Sequence, residues 1–262
     1  RGGVVWGWIG GGGGPAVNRL VALLKKEWIV QFYSGGTLFL FLFFYGLCGL
    51  TFWTASVEVV RAPNAEPLAM RFFTSELFWL NLFLVCPLLT MRGFAEEWRS
   101  GSYEGLLTTP VRESELVVSK YLVTLTLFIL MWVPTLFFFW TWKEVTGQPT
   151  AWGALLGGYF GVACLGGVLI SVGTFCSALS SHPLASAMLS LALEGSWIAF
   201  SMVARWMPEL RLSRWSSYGA PDSVMQRFAS GLIDFQMLVG AGTVALAFLW
   251  LATGVLHIRR WR

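Results

Sequence analysis

Long apolar runs, interrupted by short charged or glycine- and proline-bearing stretches, set the pattern of this chain. A helix needs about 20 apolar residues to cross a bilayer. Six segments fit that description, at about 36–56, 74–94, 116–142, 153–180, 184–204 and 235–258. The second has an apolar centre of only Leu77–Met91 and needs its flanks to span. Pro87 and Pro134 fall inside spans and are expected to kink them. The pattern predicts an all-α integral membrane protein with six transmembrane helices.

Two further segments read as helices that do not cross. In "AVNRLVALLKKEWIVQFYS", Val17, Leu20, Val21, Leu24, Trp28 and Phe32 recur at helical spacing, with Arg19, Lys25 and Lys26 off that face. This predicts an N-terminal interfacial amphipathic helix. In "APDSVMQRFASGLIDF", Pro221 suits a first helical turn, Asp222 the positive end of the helix dipole and Gly231 a stop. Val224, Phe228 and Leu232 would share a face. The segment reads either as a surface helix or as an outer gate dipping into the bilayer edge. Residues 1–15, "RGGVVWGWIGGGGGP", lack the basic end, continuous apolar core and cleavage site of a signal peptide. They are expected to be a flexible glycine-rich tail, which leaves 16–262 as one membrane domain.

Composition agrees with the pattern. Charged residues make up 12% of the chain, against about 25% in soluble domains. A net charge of +4 in a soluble protein would suggest nucleic acid. Here the basic residues flank apolar spans and set topology instead. With both termini cytoplasmic, the inner segments hold Arg1, Arg19, Lys25, Lys26, Arg92, Arg99, Arg112, Lys120, Arg259, Arg260 and Arg262. The outer segments then hold Arg61, Arg71, Lys143, Arg205, Arg211, Arg214 and Arg227. The excess favours that orientation, in a bacterial-type inner membrane.

Candidate chemistry is sparse. Cys48, Cys86, Cys164 and Cys176 lie in apolar runs without a CxxC pair, and His182 and His257 have no ligand-like spacing. No metal site is expected. The spans carry no HExxH, paired aspartates or Ser/His/Asp cluster, so an intramembrane enzyme is not favoured. A secondary transporter would want several ionisable groups in its spans, and only Glu194 lies deep in one. A carboxylate there costs about 2.5–3.5 kcal/mol on insertion scales and faces protein or water. It would either tie helices together, through Ser190, Ser196 or Trp197, or lie on a translocation path or a seam between subunits. Gly153, Gly157 and Gly161, four apart, would line a close-packed helix face, within the fold or between subunits.

The charge withheld from the spans collects in "FAEEWRSGSYEGLLTTPVRESE", Phe94–Glu115. Gly101 breaks one helix, "YEGLL" gives a short amphipathic turn, and Thr109 with Pro110 starts another helix. Such a loop is either a solvated connection or a docking surface for a cytoplasmic partner. The wider stretch "MRGFAEEWRSGSYEGLLTTPVRESELVVSKYL" resembles the inner loop of ABC-2-type transporter permeases. It is most similar to the gliding-motility-type branch and the permeases grouped with copper-enzyme maturation. Glu96, Glu97, Arg99, Gly101, Glu104, Leu106, Leu107, Thr108, Pro110, Val111 and Lys120 fall on that pattern. Ser102, Gly105 and Ser119 depart from its Thr, Leu and Gly. Gly105 weakens the short helix by up to ~1 kcal/mol. The resemblance runs more weakly from about Lys25 to the C-terminal "RRWR".

The resemblance implies a six-span half-permease that pairs with a second copy or a homologous permease. Each would dock a separate ATPase, which binds ATP and Mg. Phe94, Glu96, Glu97, Arg99, Gly101, Glu104, Leu106, Leu107 and Pro110 would then form the ATPase-coupling loop. The chain itself has no GxxxxGK[ST] phosphate loop and no Gly-Lys dipeptide. Its spans offer aromatic and aliphatic surface rather than a polar pocket, which favours an amphiphilic or lipid-linked cargo. The alternative is mechanical work on an envelope partner without solute transport.

Overall fold

A computed structural model of the chain describes residues 16–62, 66–101, 112–147, 151–206, 220–232 and 234–260, with side-chain surroundings omitted for 16–19, 100 and 200–206. Among the described residues the fold is entirely helical. The helices are α1 (Ala16–Phe32), α2 (Gly35–Arg61), α3 (Leu68–Thr74), α4 (Glu76–Thr90), α5 (Ala95–Ser100) and α6 (Glu113–Trp132). They continue with α7 (Leu136–Thr146), α8 (Trp152–Leu179), α9 (Pro183–Trp206), α10 (Pro221–Ala229) and α11 (Phe235–Arg260).

Five segments among the described residues are long and apolar enough to cross a membrane: Gly35–Arg61, Glu76–Arg99, Glu113–Thr146, Trp152–Leu179 and Phe235–Arg260. The remaining expected span, 184–204, coincides with α9, a helix of 24 residues or about 36 Å. It stands outside that set, with side chains described only to Ala199. Pro134 divides the third segment. It lacks the N–H that an α-helix needs, and the chain passes through a 3₁₀ turn at Val133–Thr135 between α6 and α7. Helix α4 runs on through Pro87 and ends at Thr90.

Helix α8 is the centre of the bundle. It packs against α3, α4, α5, α6, α9, α10 and α11. Its small residues are what admit so many neighbours. A methyl on Gly166 would meet the Phe128 ring, and one on Gly158 the Phe73 ring. Two hydrophobic clusters lie along the bundle. The larger one includes Phe44, Phe72, Phe73, Phe78, Trp132 and Phe139 and is closed at one end by the short helices α3 and α10. Its rings meet mostly edge to face, the arrangement that aromatic quadrupoles favour. The smaller cluster joins Leu23 of α1, Phe94, Leu116 and Val117 of α6, Ala178 of α8 and Leu249, Ala252 and Leu256 of α11. It lies at the opposite end, which carries α5 and the ends of both α1 and α11.

Helices α1 and α10 each bury one face. On α1, Leu23 and Glu27 are buried while Val21, Ile29 and Val30 are exposed. The helix meets α6 along a partly polar edge, and Val21 of the apolar stripe lies away from it. On α10, Pro221, Met225, Phe228 and Ala229 are buried, but Leu232 is exposed. The helix stops at Ala229, and Gly231 takes a left-handed φ of 83°, which turns Leu232 off the helical face.

The glycine face of α8 receives α10. A methyl on Gly157 would sit 2.1 Å from the Phe228 carbonyl oxygen, and one on Gly161 2.8 Å from the Phe228 Cβ. Gly153 has open space at the same position. Gly157→Ala therefore should push α10 off α8 and cost about 1–3 kcal/mol, whereas Gly153→Ala should not. Thermal unfolding of the detergent-solubilised variants checks this; equal melting of Gly157→Ala and the parent would contradict the packing.

Candidate functional site

The segment after α4 builds a site from very short pieces. The chain turns at 91–94, makes the six residues of α5 and stops at Gly101, whose left-handed φ of 70° closes the helix. A helix this short cannot hold itself, so its neighbours must. The N-terminus has no cap from its own side chain at Phe94. Instead the Ser177 hydroxyl of α8 accepts from the backbone N–H groups of Phe94 and Ala95, at 2.9 and 3.2 Å. Phe94 and Ala95 are themselves buried.

The two sides of α5 differ. Glu96 and Arg99 are exposed, and Glu96 has only a 4.0 Å approach from Arg92. Glu97 and Trp98 turn into the bundle. Trp98 lies under the Arg259 guanidinium of α11, 4.8 Å from the ring centroid, and Arg259 also donates to the Leu179 carbonyl at the end of α8. One residue on, Arg260 pairs with Glu113 at the start of α6 at 2.6 Å.

Glu97 enters the most buried ionic contact of the described residues. Lys120 of α6 has a side chain only 6% exposed, and its ammonium donates to Glu97 Oε1 at 2.8 Å and to Glu27 Oε2 of α1 at 2.9 Å. It also lies 5.2 Å from the centroid of the Phe94 ring. One cation thus joins α1, α5 and α6. Along the same edge, the Gln31 amide of α1 donates to Thr124 Oγ1 of α6 and to the Leu89 carbonyl of α4. Glu27, Gln31 and Leu23 sit four residues apart, opposite Lys120 and Thr124, which are also four apart. These spacings are helical periods, so two polar rungs lie one turn apart on each helix.

The other expected site residues divide among separate places. Glu104, Leu106, Leu107 and Pro110 lie outside the described residues. Glu194 is 2% exposed and accepts from Ser190 Oγ at 3.0 Å. It faces the subunit's own interior, on a helix packed against α4 and α8. Ser196, an expected partner, instead bonds the Leu193 carbonyl of its own helix. Pro221, Asp222, Phe228 and Gly231 all belong to the α10 end, with Pro221 in the first turn and Phe228 seated on the glycine face. Among the described residues no group of three His, Cys, Asp or Glu side chains is placed to hold a metal ion.

Sequence reasoning missed Glu27, Trp98 and Arg259. Glu27 carried a signal: it stands between Leu23 and Gln31 at helical spacing, beside the basic pair Lys25 and Lys26. Lys120 carried another, as the one charged residue of α6 beyond its first turn.

A family model described as ABC-2 family transporter protein matches residues 54–251. No curated protein matches the chain.

Removing one partner from a buried ionic group costs about 3–5 kcal/mol, because the remaining charges lose both water and counter-ion. Lys120→Met is therefore expected to destabilise the solubilised protein by that order. Combining it with Glu27→Gln and Glu97→Gln should recover most of the loss. Lys25→Met, at an exposed lysine of α1, should change little. If Lys120→Met melted like Lys25→Met, the buried ionic contact would not be present.

Proposed function

Because the chain belongs to the ABC-2 transporter family, whose model covers residues 54–251, we propose that it is an export half-permease driven by an ATPase on a separate chain. It crosses a bacterial-type inner membrane six times, with α9 as the fifth span and both termini cytoplasmic. It pairs with a second copy or a homologous permease. ATP and Mg bind the ATPase, and this chain contributes no catalytic residue. The resemblance of the loop suggests the gliding-motility-type and copper-enzyme-maturation-type branch.

One observation carries this reading. Helix α5 is tied to the bundle on one side, through Ser177, Lys120 and Arg259, and presents Glu96 and Arg99 on the other. A short charged helix held rigidly from behind is suited to receive a push and pass it on. The ATPase therefore docks on Glu96, Arg99 and the following stretch that holds Glu104, Leu106, Leu107 and Pro110. Phe94, Glu97 and Gly101 serve the same loop from behind, as wedge, tether and stop.

The geometry separates two carboxylates that are neighbours in sequence. Glu96→Lys reverses an exposed charge at the docking surface, where like-charge juxtaposition weakens association. It should lower co-purification of the partner ATPase and partner-dependent ATP hydrolysis. Thermal unfolding should stay within about 0.5 kcal/mol of the parent, as for most surface changes. Undiminished co-purification in a Glu96→Lys, Arg99→Glu double variant would argue against α5 as the docking surface.

A further inference from the structure

We propose that Lys120 is a positioning residue for energy coupling: its buried ammonium makes α1, α5 and α6 respond together, so that a displacement of α5 is delivered to α1 as well as to the spans. The inference rests on the reading that a partner ATPase engages α5. It adds which elements receive the movement and through which atoms.

The chain itself offers α1 no short connection to α5. Glu27 lies 93 residues before Lys120, while Glu97 lies only 23 before it. The polar connection from α1 to α5 is the shared ammonium, at 2.9 and 2.8 Å from the two carboxylates, beside an apolar cluster that includes Leu23, Phe94 and Trp98. The contact is stiff for two reasons. Lys120 is almost fully buried, so water cannot replace a carboxylate that moves away. The Phe94 ring below the ammonium and the Thr124–Gln31 rung one turn on restrict it further. An apolar contact can slide at little cost, because dispersion has no direction. Separating a buried ammonium from its carboxylate has a steep energy, so the three helices either move together or the contact breaks.

Helix α1 is also built to respond. Its edge through Leu23, Glu27 and Gln31 holds it to α6, while Val21, Ile29 and Val30 are exposed on its other sides. The Arg259–Trp98 contact gives α11 a separate connection to α5. Loss of Lys120 therefore removes the ionic contact between α1 and α5, leaving α5 attached to α8 and α11.

Hydrogen–deuterium exchange on the permease bound to its ATPase tests this, comparing the nucleotide-free complex with one trapped by ATP and vanadate. In the parent, trapping should change exchange in peptides covering both α5 and α1. In Lys120→Met the α5 change should persist and the α1 change should be lost. Glu27→Leu removes the acceptor on α1 and leaves the Lys120–Glu97 contact in place, so it should lose the α1 change even if Lys120→Met assembles poorly. An α1 change of parental size in Glu27→Leu would overturn the proposal. Absence of any α5 change in the parent would instead overturn the reading that α5 meets the ATPase, and the proposal with it.

Discussion

A buried ammonium with two carboxylates is the constraint around which one end of this molecule is arranged. Lys120 has almost no access to solvent, and an ion so placed costs several kcal/mol unless its partners are well positioned. Three separate helices must therefore meet at one point: α6 supplies the cation, and α1 and α5 each supply an anion. That requirement explains why α1 presents Glu27 rather than an apolar residue to the bundle. It also helps a helix of only six residues hold a defined orientation, with Glu97 and Trp98 inward and Glu96 and Arg99 outward. Apolar packing alone would not select that rotation so sharply.

The opposite end is organised by contact rather than charge. Helix α8 is lined with small residues, and α3 and α10 rest against it through Phe73 and Phe228. The aromatic cluster beneath them continues to Trp132, next to the 3₁₀ turn at Val133–Thr135. Thr135 Oγ1 and the Tyr159 hydroxyl, 2.6 Å apart, bind that turn to α8. Since α8 touches α5 at one end and both α3 and α10 at the other, it is the element through which the two ends can influence each other. Ser177, which caps α5, and Gly157, which admits Phe228, lie on this one helix.

The sequence was informative where its signal was a long average. Helices occupy the apolar runs because burying a backbone in an apolar medium leaves little alternative, and Pro134 announced the interruption of the third run. Individual faces were harder to read. The apolar stripe of α1 marked a lipid-facing side, while the face α1 turns to the bundle runs through Leu23, Glu27 and Gln31. Hydrophobic periodicity locates an interior only when the neighbouring element is apolar, and α6 offers Lys120 and Thr124 there. Leu232 looked continuous with Phe228, but Gly231 ends the helical period between them. Glu96 and Glu97 looked equivalent in the charged loop. Their opposite orientations depend on Lys120, which lies 23 residues beyond Glu97. Glu194 stood out in the sequence because it is charged in an apolar run. The sequence could not say which way it faced, since α4 and α8 approach it from elsewhere in the chain.

These elements give the α5 end a back and a front. The back is fixed to the bundle by Ser177, Lys120 and Arg259, and the front carries exposed charge. The most direct test is site-specific photo-crosslinking from α5 in membranes that contain the partner ATPase. A benzophenone side chain at Arg99 should give a covalent adduct with the ATPase. The same group at Val30, on the exposed side of α1, should give none. Adducts from Val30 but not from Arg99 would contradict the assignment of α5 as the face that receives the ATPase.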